Sequence, residues 1–284
     1  MNLRAYAKIN IGLRILGKRS DGYHDIETIF HQIDMYDELS FDPAETIQLT
    51  TSSSEVPRDS KNLCFRAAEL LREHTGQSKG VHIGLTKHIP VGGGLGGGSS
   101  DAATVLVALN DLWGSGMNLR ELESLAARLG SDVPFFVQGG TAVGTSRGEV
   151  LDHFELNLPY WILTVTPSIH VSTAWAYSNL KLRTETRDDT LRSWIEKSIA
   201  NAATLRGHIG NDFEDLVFGT YSKIQELKTR LDGAGAEFTQ LSGSGSSVFA
   251  LFRYEMTAHK AMKEFRTTYV TSLTAPGFKP TRTL

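Results

Sequence analysis

Six glycines fall within positions 92–98, and two serines follow them directly. The run lies between a strand-like segment with alternating apolar residues, VHIGLT (81–86), and an apolar helical stretch, DAATVLVALNDLW (101–113). Glycine reaches positive φ and lets a ligand approach main-chain N–H groups closely. A helix that begins at Ser99 or Ser100 leaves its first N–H groups unpaired at the positive end of its dipole. The run therefore predicts an anion site, with phosphate as the usual ligand, rather than a flexible turn.

The glycine run does not complete any of three common nucleotide-binding patterns. Gly92, Gly94 and Gly97 satisfy G-x-G-x-x-G, but the strand ending in an acidic residue that a dinucleotide site needs does not follow. A Walker A loop requires Gly-Lys-Ser/Thr, whereas residues 98–100 are Gly-Ser-Ser. No His-Arg-Asp or Asp-Phe-Gly motif of a protein kinase follows either. A dinucleotide-dependent oxidoreductase is therefore a disfavoured alternative.

Two charged residues outside the run could take part in phosphoryl transfer. Lys8 stands in the apolar strand-like segment AKINIGL (7–13), and Asp132 follows Gly130 and precedes Val-Pro. From the residues alone, Lys8 could be a solvated lysine on an edge strand. Asp132 could cap a helix that begins at Pro134, although capping and catalysis do not exclude each other.

Strands and helices alternate around these candidates, which predicts an α+β protein. The chain divides into two predicted domains, 1–156 and 157–284, with the boundary at Asn157–Pro159. Asn62 and Gly76 predict the two ends of one helix, since asparagine caps N-termini and glycine ends helices. The predicted elements are a strand–turn–strand over 15–33, a loop over 50–60, a helix over 63–74, a strand over 81–86, helices over 101–113 and 119–130, a hairpin over 141–154, a strand over 161–167, helical stretches over 190–205 and 213–231, a strand–turn–strand over 238–252 and a helix over 256–268.

Composition and charge exclude several classes of protein. The chain has 284 residues, of which 40% are hydrophobic and 21% charged, as is typical of folded globular proteins. Its 29 basic and 32 acidic residues give a net charge of −3, so nucleic acid is not a predicted partner. No signal-peptide core and no run of about eighteen apolar residues occurs, so a membrane is not a predicted partner. The single cysteine, Cys64, can form no intrachain disulfide. We expect a cytoplasmic protein, and its oligomeric state is left open.

Several short motifs occur in the same order as in the GHMP kinases, and together they resemble that family. The run PVGGGLGGGSS at 90–100 resembles the second, glycine-rich motif of these small-molecule kinases. The other matching segments are AKIN (7–10), DGYH (21–24), GSDVP (130–134), NDFE (211–214) and LSGSGSS (241–247). Each motif alone is weak, but the ordered set extends over most of the chain and is specific.

The resemblance implies a two-domain GHMP kinase fold with the active site between the domains. The N-terminal domain would resemble ribosomal protein S5 and the C-terminal domain would be ferredoxin-like. The implied enzyme phosphorylates a small-molecule alcohol with ATP, and we expect Mg²⁺ to accompany the ATP. Lys8 and Asp132 match the catalytic residues of the family. The residues that would bind ATP are Pro90, Val91, Gly92, Gly93, Gly94, Leu95, Gly96, Gly97, Gly98, Ser99 and Ser100. No protein ligand of the metal is implied, although Ser99 or Ser100 could contact it.

The DGYH segment resembles members whose acceptor alcohol carries a cytidine. The implied substrate-binding residues are Asn10, Tyr23, His24, Phe30, Thr173 and Tyr177, with Lys87 as a weaker candidate. Stacking on a base needs a flat π face, which tyrosine at position 177 supplies as well as the phenylalanine of some relatives. Phe30 could instead be a core residue of its strand. No acid or cysteine cluster accompanies His24 and His31, so a metal site is not predicted there.

Two alternatives within the same fold stay open. A homoserine or mevalonate kinase type would share the glycine run, but the DGYH and GSDVP segments argue against it. A non-catalytic nucleotide-binding regulator would be expected to lack Lys8 or Asp132, and both are present.

Overall fold

The computed structural model describes residues 1–182 and 189–283 and contains two β-sheets with helices packed against them. The predicted α+β class is confirmed. The strands are β1 (Asn2–Lys18), β2 (His24–Ala44), β3 (Ile47–Thr51), β4 (Gly80–Thr86), β5 (Thr141–Ser146), β6 (Val150–His153), β7 (Trp161–Thr166), β8 (Phe238–Leu241), β9 (Val248–Phe252) and β10 (Val270–Thr274). The helices are α1 (Leu63–Thr75), α2 (Gly97–Trp113), α3 (Leu119–Ala126), α4 (Val133–Gln138), α5 (Thr173–Asn179), α6 (Leu191–Ser198), α7 (Ala202–Leu205), α8 (Glu214–Thr220), α9 (Ser222–Gly233) and α10 (Glu255–Phe265). None of the helices within the two described ranges combines the length and apolar character that a membrane crossing requires.

Local sequence signals set most of these elements. The side chain of Asn62 accepts a hydrogen bond from Cys64 N at 2.8 Å and so caps α1. Gly76 ends the same helix with φ of 67°, a left-handed conformation that glycine adopts without strain. The strand–turn–strand predictions are confirmed over 15–33, 141–154 and 238–252.

Some boundaries differ from the predictions. Helix α2 begins at Gly97 instead of Ser99 or Ser100, because Gly96 takes φ of 72° and serves as the N-cap. The predicted helix over 213–231 is interrupted at Tyr221, whose φ of −121° and ψ of 77° are not helical, so α8 and α9 are separate helices. The stretch over 190–205 is likewise split into α6 and α7. Strand β3 extends into the predicted loop because it pairs in parallel with β4, a contact that local sequence does not encode.

The first sheet is built around the 21-residue strand β2. Along one edge β2 pairs with β1 over nearly its whole length, and along the other it pairs first with β5 and then with β4. The strand order is β3–β4–β2–β5–β6, with β1 paired to β2. Helices α1 to α4 pack against this sheet and bury a core that includes Phe41, Leu106 and Phe135.

The second sheet has the order β10–β7–β9–β8 and is antiparallel throughout. A further apolar cluster joins the two sheets, since Ile9 and Ile29 of the first pack with Phe249 of the second. The last strand of the first sheet ends at His153 and the next strand begins at Trp161. The predicted division after residue 156 falls in this connection and stays a proposal, because the joining cluster links both parts.

The outer edge of β1 bonds to loops instead of to a further long strand. The backbone N–H groups along this edge donate to loop oxygens from three parts of the chain. The bonds are Arg4 N to Arg282 O at 2.7 Å, Lys8 N to Leu95 O at 2.9 Å, Leu13 N to Gly210 O at 2.9 Å and Ile15 N to Asp212 Oδ2 at 2.8 Å. The glycine run is therefore attached directly to the strand that carries Lys8.

A bulge interrupts β1 between Ile11 and Leu13 and places Gly12 at φ of 76°. Its N–H donates to Gln240 Oε1 at 2.7 Å. A Cβ atom at this position would lie 2.7 Å from Leu191 Cδ2. The bulge thus depends on glycine for both its backbone conformation and its close packing.

We expect Gly12→Ala to lower the free energy of unfolding by about 2–4 kcal/mol, because alanine is strained at positive φ and its methyl group would overlap Leu191. Gly17→Ala is the matched control in the same strand, since nothing lies within 4 Å of a Cβ there and φ is not positive. Chemical denaturation followed by circular dichroism measures both variants. Equal stability of the two variants would contradict the packing argument.

Candidate active site

A cleft of about 800 Å³ is lined by β1, the glycine run and α5. Its wall contains residues 90–99, both predicted catalytic residues and all the predicted substrate-binding residues. Ser100 is the exception among the predicted site residues, because it is buried and its hydroxyl donates to Tyr6 O at 2.7 Å. Ser100 therefore ties α2 to β1 instead of facing the cleft.

The glycine loop, residues 90–99, brings the start of α2 to the cleft. Gly92, Gly94 and Gly96 have φ of 71°, 78° and 72°. A Cβ on Gly94 would lie 2.2 Å from the carbonyl oxygen of Ser242, so another backbone segment occupies the space of a side chain. No side chain caps α2, and its first turn lines the cleft. The positive end of the dipole of a 17-residue helix is thus available to an anion.

The second glycine-rich segment, residues 241–247, supports the glycine loop. Ser242 Oγ donates to Gly94 O at 3.0 Å, and Ser247 N donates to Gly93 O at 3.0 Å. Its last two serines are 0% exposed, so they cannot reach a ligand in the cleft. The segment therefore fixes the shape of the first loop, and only its middle residues reach the cleft wall.

The NDFE motif, residues 211–214, holds this second segment in turn. Asn211 Nδ2 donates to the carbonyl oxygens of Leu241 and Gly243, both at 2.8 Å. Glu214 Oε1 accepts from Leu241 N at 2.9 Å. Because the motif also bonds to β1, it connects the strand that carries Lys8 with both glycine segments.

A buried charge cluster lies where the chain enters the glycine loop. Asp37 Oδ1 accepts from the N–H groups of His88 at 2.6 Å and Ile89 at 2.9 Å. The ammonium of Lys87 donates to Asp37 and, at 2.9 Å, to Asp101 on α2. Burial raises the pKa of the Asp101 carboxyl well above its ordinary value. Lys87, a weaker substrate-side candidate in the sequence, lines the cleft and also holds β2, the loop entrance and α2 together.

Lys8 is 3% exposed and its ammonium lies under a carboxylate of the cleft. Nζ donates to Asn10 Oδ1 at 2.5 Å and lies 3.5 Å from Asp132 Oδ2. Burial lowers the pKa of Lys8, whereas the charge of Asp132 acts in the opposite direction. The Asp132 side chain is 37% exposed, so the pair presents its carboxylate to the cleft.

The position of Asp132 at the N-cap of α4 is as predicted, but its carboxylate makes no capping hydrogen bond. Its φ of −83° and ψ of −16° are helical. A capping side chain reaches the amides of the first turn from an extended backbone conformation, which Asp132 does not have. The predicted capping role is therefore wrong, and the carboxylate is left for Lys8 and the cleft.

Aromatic rings and one cation form another part of the cleft wall. His24 and Tyr177 stack with ring centroids 5.1 Å apart and planes inclined by 27°. Phe213 meets Tyr177 edge-on at 4.9 Å. Tyr23 is 54% exposed, and the guanidinium carbon of Arg147 lies 4.9 Å from its ring centroid. This end of the cleft can stack a flat ring beside a positive charge.

Of the three other predicted substrate-binding residues, two are buried and one is exposed. Phe30 is 1% exposed and packs on Phe135 at 5.1 Å, which favours the alternative that it is a core residue. Asn10 is 2% exposed, and its carboxamide bonds to two neighbouring side chains. Thr173 is exposed, and its hydroxyl lies 3.0 Å from that of Ser244.

Several residues of the cleft wall were not predicted from the sequence, among them Phe213, Arg147 and three apolar residues. Phe213 belongs to the NDFE motif, which is visible in the sequence but did not indicate what Phe213 does. Arg147 is an isolated charge in a hairpin and gave no signal. Val56, Pro57 and Leu63 line an apolar part of the cleft. They lie in or next to a predicted polar loop, where only the folded chain shows that they face a ligand site.

No three His, Cys, Asp or Glu side chains come together as metal ligands in the part of the chain that the structure describes. His31 Nδ1 lies 2.8 Å from Thr141 Oγ1. Burial lowers the pKa of His31 to about 4, so this ring is neutral at pH 7. His31 is thus a core residue.

Comparison with known proteins finds matching family models, similar sequences and similar solved structures. The chain matches the family models described as GHMP kinases N terminal domain, over residues 62–140, and GHMP kinases C terminal, over residues 194–271. It is 43% identical over 281 residues, 98% of each chain, to a Prosthecochloris aestuarii protein named 4-diphosphocytidyl-2-C-methyl-D-erythritol kinase. A crystal structure of 4-(cytidine 5'-diphospho)-2C-methyl-D-erythritol kinase has a TM-score of 0.83 and 34% identity, covering 98% of this chain and 100% of that chain. A homoserine kinase from Cytophaga hutchinsonii shares the fold, with a TM-score of 0.67 at 20% identity, covering 95% of this chain and 94% of its own.

Gly98 allows a test of the predicted phosphate site. A Cβ there would have one neighbour within 4 Å, Leu63 Cδ1 at 3.8 Å, so Gly98→Val should fold normally. Its side chain would stand on the first turn of α2, and we expect ATP affinity to fall roughly tenfold or more by calorimetry. Gly96 is a poorer choice, because a Cβ there would lie 2.8 Å from Phe136 Cζ. Wild-type ATP affinity in Gly98→Val, with an unchanged melting temperature, would rule out phosphate binding here.

Proposed function

The chain belongs to the GHMP kinases, and from this membership we propose that it transfers the γ-phosphate of ATP to the 2-hydroxyl of 4-diphosphocytidyl-2-C-methyl-D-erythritol. This reaction belongs to the non-mevalonate route to isoprenoid precursors. The observation that carries the proposal is the pair Lys8 and Asp132, 3.5 Å apart, in a cleft that also holds a glycine loop and an aromatic cluster. One cleft thus contains a candidate phosphate site, a candidate base-stacking site, and the ammonium and carboxylate of this pair.

The apolar part of the cleft, lined by Val56, Pro57 and Leu63, suits the adenine of ATP. A Cβ on Gly98 would be 3.8 Å from Leu63, so this part adjoins the first turn of α2, where phosphates are favoured. The residue before α2, Gly96, lies beside Lys8, since its Cβ would be 3.1 Å from Lys8 Cε. A triphosphate that runs from Leu63 along α2 would bring its terminal phosphate to the ammonium.

The aromatic part of the cleft suits the cytidine of the acceptor. Stacking of a base on an aromatic side chain contributes roughly 1–3 kcal/mol. Tyr177 and His24 offer the ring faces, and Tyr23 adds an exposed ring. The guanidinium of Arg147 lies beside Tyr23 and suits the diphosphate that links cytidine to the alcohol.

In the chemical step, the carboxylate of Asp132 accepts the proton of the acceptor hydroxyl. The hydroxyl oxygen forms a bond to the γ-phosphorus, the bond from phosphorus to the β,γ-bridging oxygen breaks, and ADP leaves. A carboxylate of ordinary basicity is sufficient, because in a loose transition state the proton leaves late. The ammonium of Lys8 stabilises the charge on the transferring phosphoryl oxygens and on the developing alkoxide.

Mg²⁺ would enter with ATP, because this ion is usually held by phosphates, waters and one or two protein oxygens. The residues present fit such a role. Ser99 lines the cleft and bears a hydroxyl oxygen, whereas the Ser100 hydroxyl is bonded to Tyr6 O. When bound, the ion would neutralise phosphate charge, and Ser99 is our candidate for its protein ligand.

The competing functions are less well supported. Identity to the homoserine kinase is 20%, against 43% for the relative named as the diphosphocytidyl-methylerythritol enzyme. A regulator that only binds nucleotide would have no use for the paired Lys8 and Asp132. We propose a cytoplasmic location, in keeping with a small-molecule substrate.

Release of ADP with a panel of acceptor alcohols tests the proposal. We expect turnover with the diphosphocytidyl substrate, and little or none with homoserine or mevalonate. Turnover only with one of the other two alcohols would assign the chain to that enzyme class. ATP binding without turnover of any acceptor would favour a regulator.

Asp132→Asn should lower kcat by about 10²–10⁴, the usual contribution of a positioned general base, with little change in the KM for ATP. The melting temperature should fall only modestly, because the carboxylate makes no capping hydrogen bond and the Asp132 side chain is 37% exposed in its pair with Lys8. Steady-state kinetics and thermal unfolding measure the two effects. A kcat close to wild type, or a loss explained by unfolding, would make Asp132 structural.

Tyr177→Leu should raise the KM for the acceptor by about ten- to a hundredfold, because it removes a stacking face. Tyr177→Phe keeps the face and is the matched control, for which we expect a nearly wild-type KM. Phe30→Ala is a weaker test, since truncating a buried phenylalanine costs about 3–5 kcal/mol of stability. If Tyr177→Leu impaired ATP binding instead, the two ends of the cleft would have to be exchanged.

A further inference from the structure

We infer that Thr28, a residue of β2 outside the cleft wall, is a positioning residue for the ammonium of Lys8. The inference rests on the proposed function, in which Lys8 acts at the transferring phosphoryl group. Thr28 is 0% exposed, so its hydroxyl contacts neither ATP nor the acceptor. An effect of Thr28 on catalysis must therefore pass through other side chains.

Three hydrogen bonds in series connect Gly12 to Lys8 through the side chains of Thr28 and Asn10. Thr28 Oγ1 donates to Gly12 O at 2.6 Å, and Asn10 Nδ2 donates to Thr28 Oγ1 at 2.9 Å. Lys8 Nζ donates to Asn10 Oδ1 at 2.5 Å. All three side chains are buried, so bulk water does not compete for these bonds.

The number of hydrogens forces the direction of this series. A hydroxyl has one hydrogen, and the carbonyl of Gly12 can only accept, so the hydrogen of Thr28 goes to Gly12. Thr28 Oγ1 must then accept from Asn10, which turns the amide nitrogen of Asn10 toward Thr28. The amide oxygen is consequently turned toward Lys8, where it accepts from the ammonium.

The fixed amide oxygen determines where the hydrogens of Lys8 point. An ammonium has three hydrogens. Nζ donates to Asn10 Oδ1 and, at 3.3 Å, to Gly94 O. The remaining hydrogen is left for the cleft, where Asp132 Oδ2 lies 3.5 Å away. If the amide of Asn10 were reversed, its NH₂ group would face the ammonium and the charged form of Lys8 would lose an acceptor.

The bulge in β1 supplies the carbonyl on which the series ends. The register shift between Ile11 and Leu13 takes Gly12 out of the regular β1–β2 ladder. A bulged residue is left unpaired in the ladder, so its carbonyl is free for the hydroxyl of Thr28. The bulge at Gly12 and the hydroxyl of Thr28 are therefore both needed for this hydrogen bond.

Asp132 on the N-terminal side of α4 is the charged group that acts on the pKa of Lys8 among the described residues. The other groups packed around the ammonium are neutral. They are the ring of Phe30 on β2, with its centroid 5.4 Å from Nζ, and the backbones of Gly94 and Gly243. Burial already lowers the pKa of Lys8. Loss of the amide acceptor would lower this pKa further.

Thr28→Val tests the inference, because it replaces the hydroxyl by a methyl group of similar size. We expect kcat to fall by about ten- to a hundredfold, with the KM values for ATP and acceptor little changed. The basic limb of the kcat–pH profile should move to lower pH, since the reaction needs charged Lys8. Competitive acetylation of the free enzyme, read by mass spectrometry across pH, should report a lower pKa for Lys8 directly.

Two variants serve as controls. Thr28→Ser keeps the hydroxyl and should restore kcat and the pKa of Lys8. Thr164→Val removes another buried strand hydroxyl, which is 2% exposed and donates to Ser272 O at 3.4 Å, far from Lys8 in sequence and in a different sheet. Thr164→Val should change neither kcat nor the pKa of Lys8. Melting temperatures of all variants separate loss of folding from loss of positioning.

An unchanged pKa of Lys8 in Thr28→Val overturns the inference, whether kcat is wild-type or reduced, because a reduced kcat alone would then reflect a structural role. Failure of Thr28→Ser to restore the pKa of Lys8 also overturns it. The acetylation experiment needs no substrate. A wild-type enzyme that releases no ADP with the diphosphocytidyl acceptor would refute the proposed function, while the pKa of Lys8 would still decide the role of Thr28.

Discussion

The outer edge of β1 must satisfy its backbone N–H groups, since a buried amide without a partner costs about 1–3 kcal/mol. Oxygen atoms of neighbouring loops accept these hydrogen bonds. Lys8 N bonds to Leu95 O of the glycine loop, and Leu13 N bonds to Gly210 O next to the NDFE motif. The strand that carries the ammonium is therefore also the strand that locates the glycine loop. Lys8 and the glycine loop share one backbone frame, which limits how far either can move relative to the other.

Placing a lysine in this frame has an energetic cost, because burial disfavours the charged ammonium. The structure offsets it with three acceptors around Nζ of Lys8, namely the Asn10 amide oxygen, the Gly94 carbonyl and the Asp132 carboxylate. One of the three is charged and faces the cleft. The groups that favour the charged ammonium are thus also the groups that hold it at the cleft.

Local signals predicted much of the fold and part of the site. Asn62 and Gly76 mark the ends of α1 because capping is decided within a few residues. The glycine run predicted an anion site because free helix amides need no distant partner. The resemblance to GHMP kinases added Lys8, Asp132 and the aromatic residues, which composition and periodicity could not have connected. The predicted capping role of Asp132 was wrong, because the backbone at Asp132 is helical and its carboxylate makes no capping hydrogen bond.

By itself, the sequence determined the class of fold, the family and the residue types of the cleft, since short motifs and local periodicity encode these. Only the tertiary structure decided which side chains meet. Lys87 lies close to the glycine run in sequence, yet its partners Asp37 and Asp101 commit it to the loop entrance. Thr28 shows no motif at all, and its link to Lys8 exists because β1 and β2 pair with a bulge at Gly12. Hydrogen bonds between residues distant in the chain depend on register and packing, which no local pattern specifies.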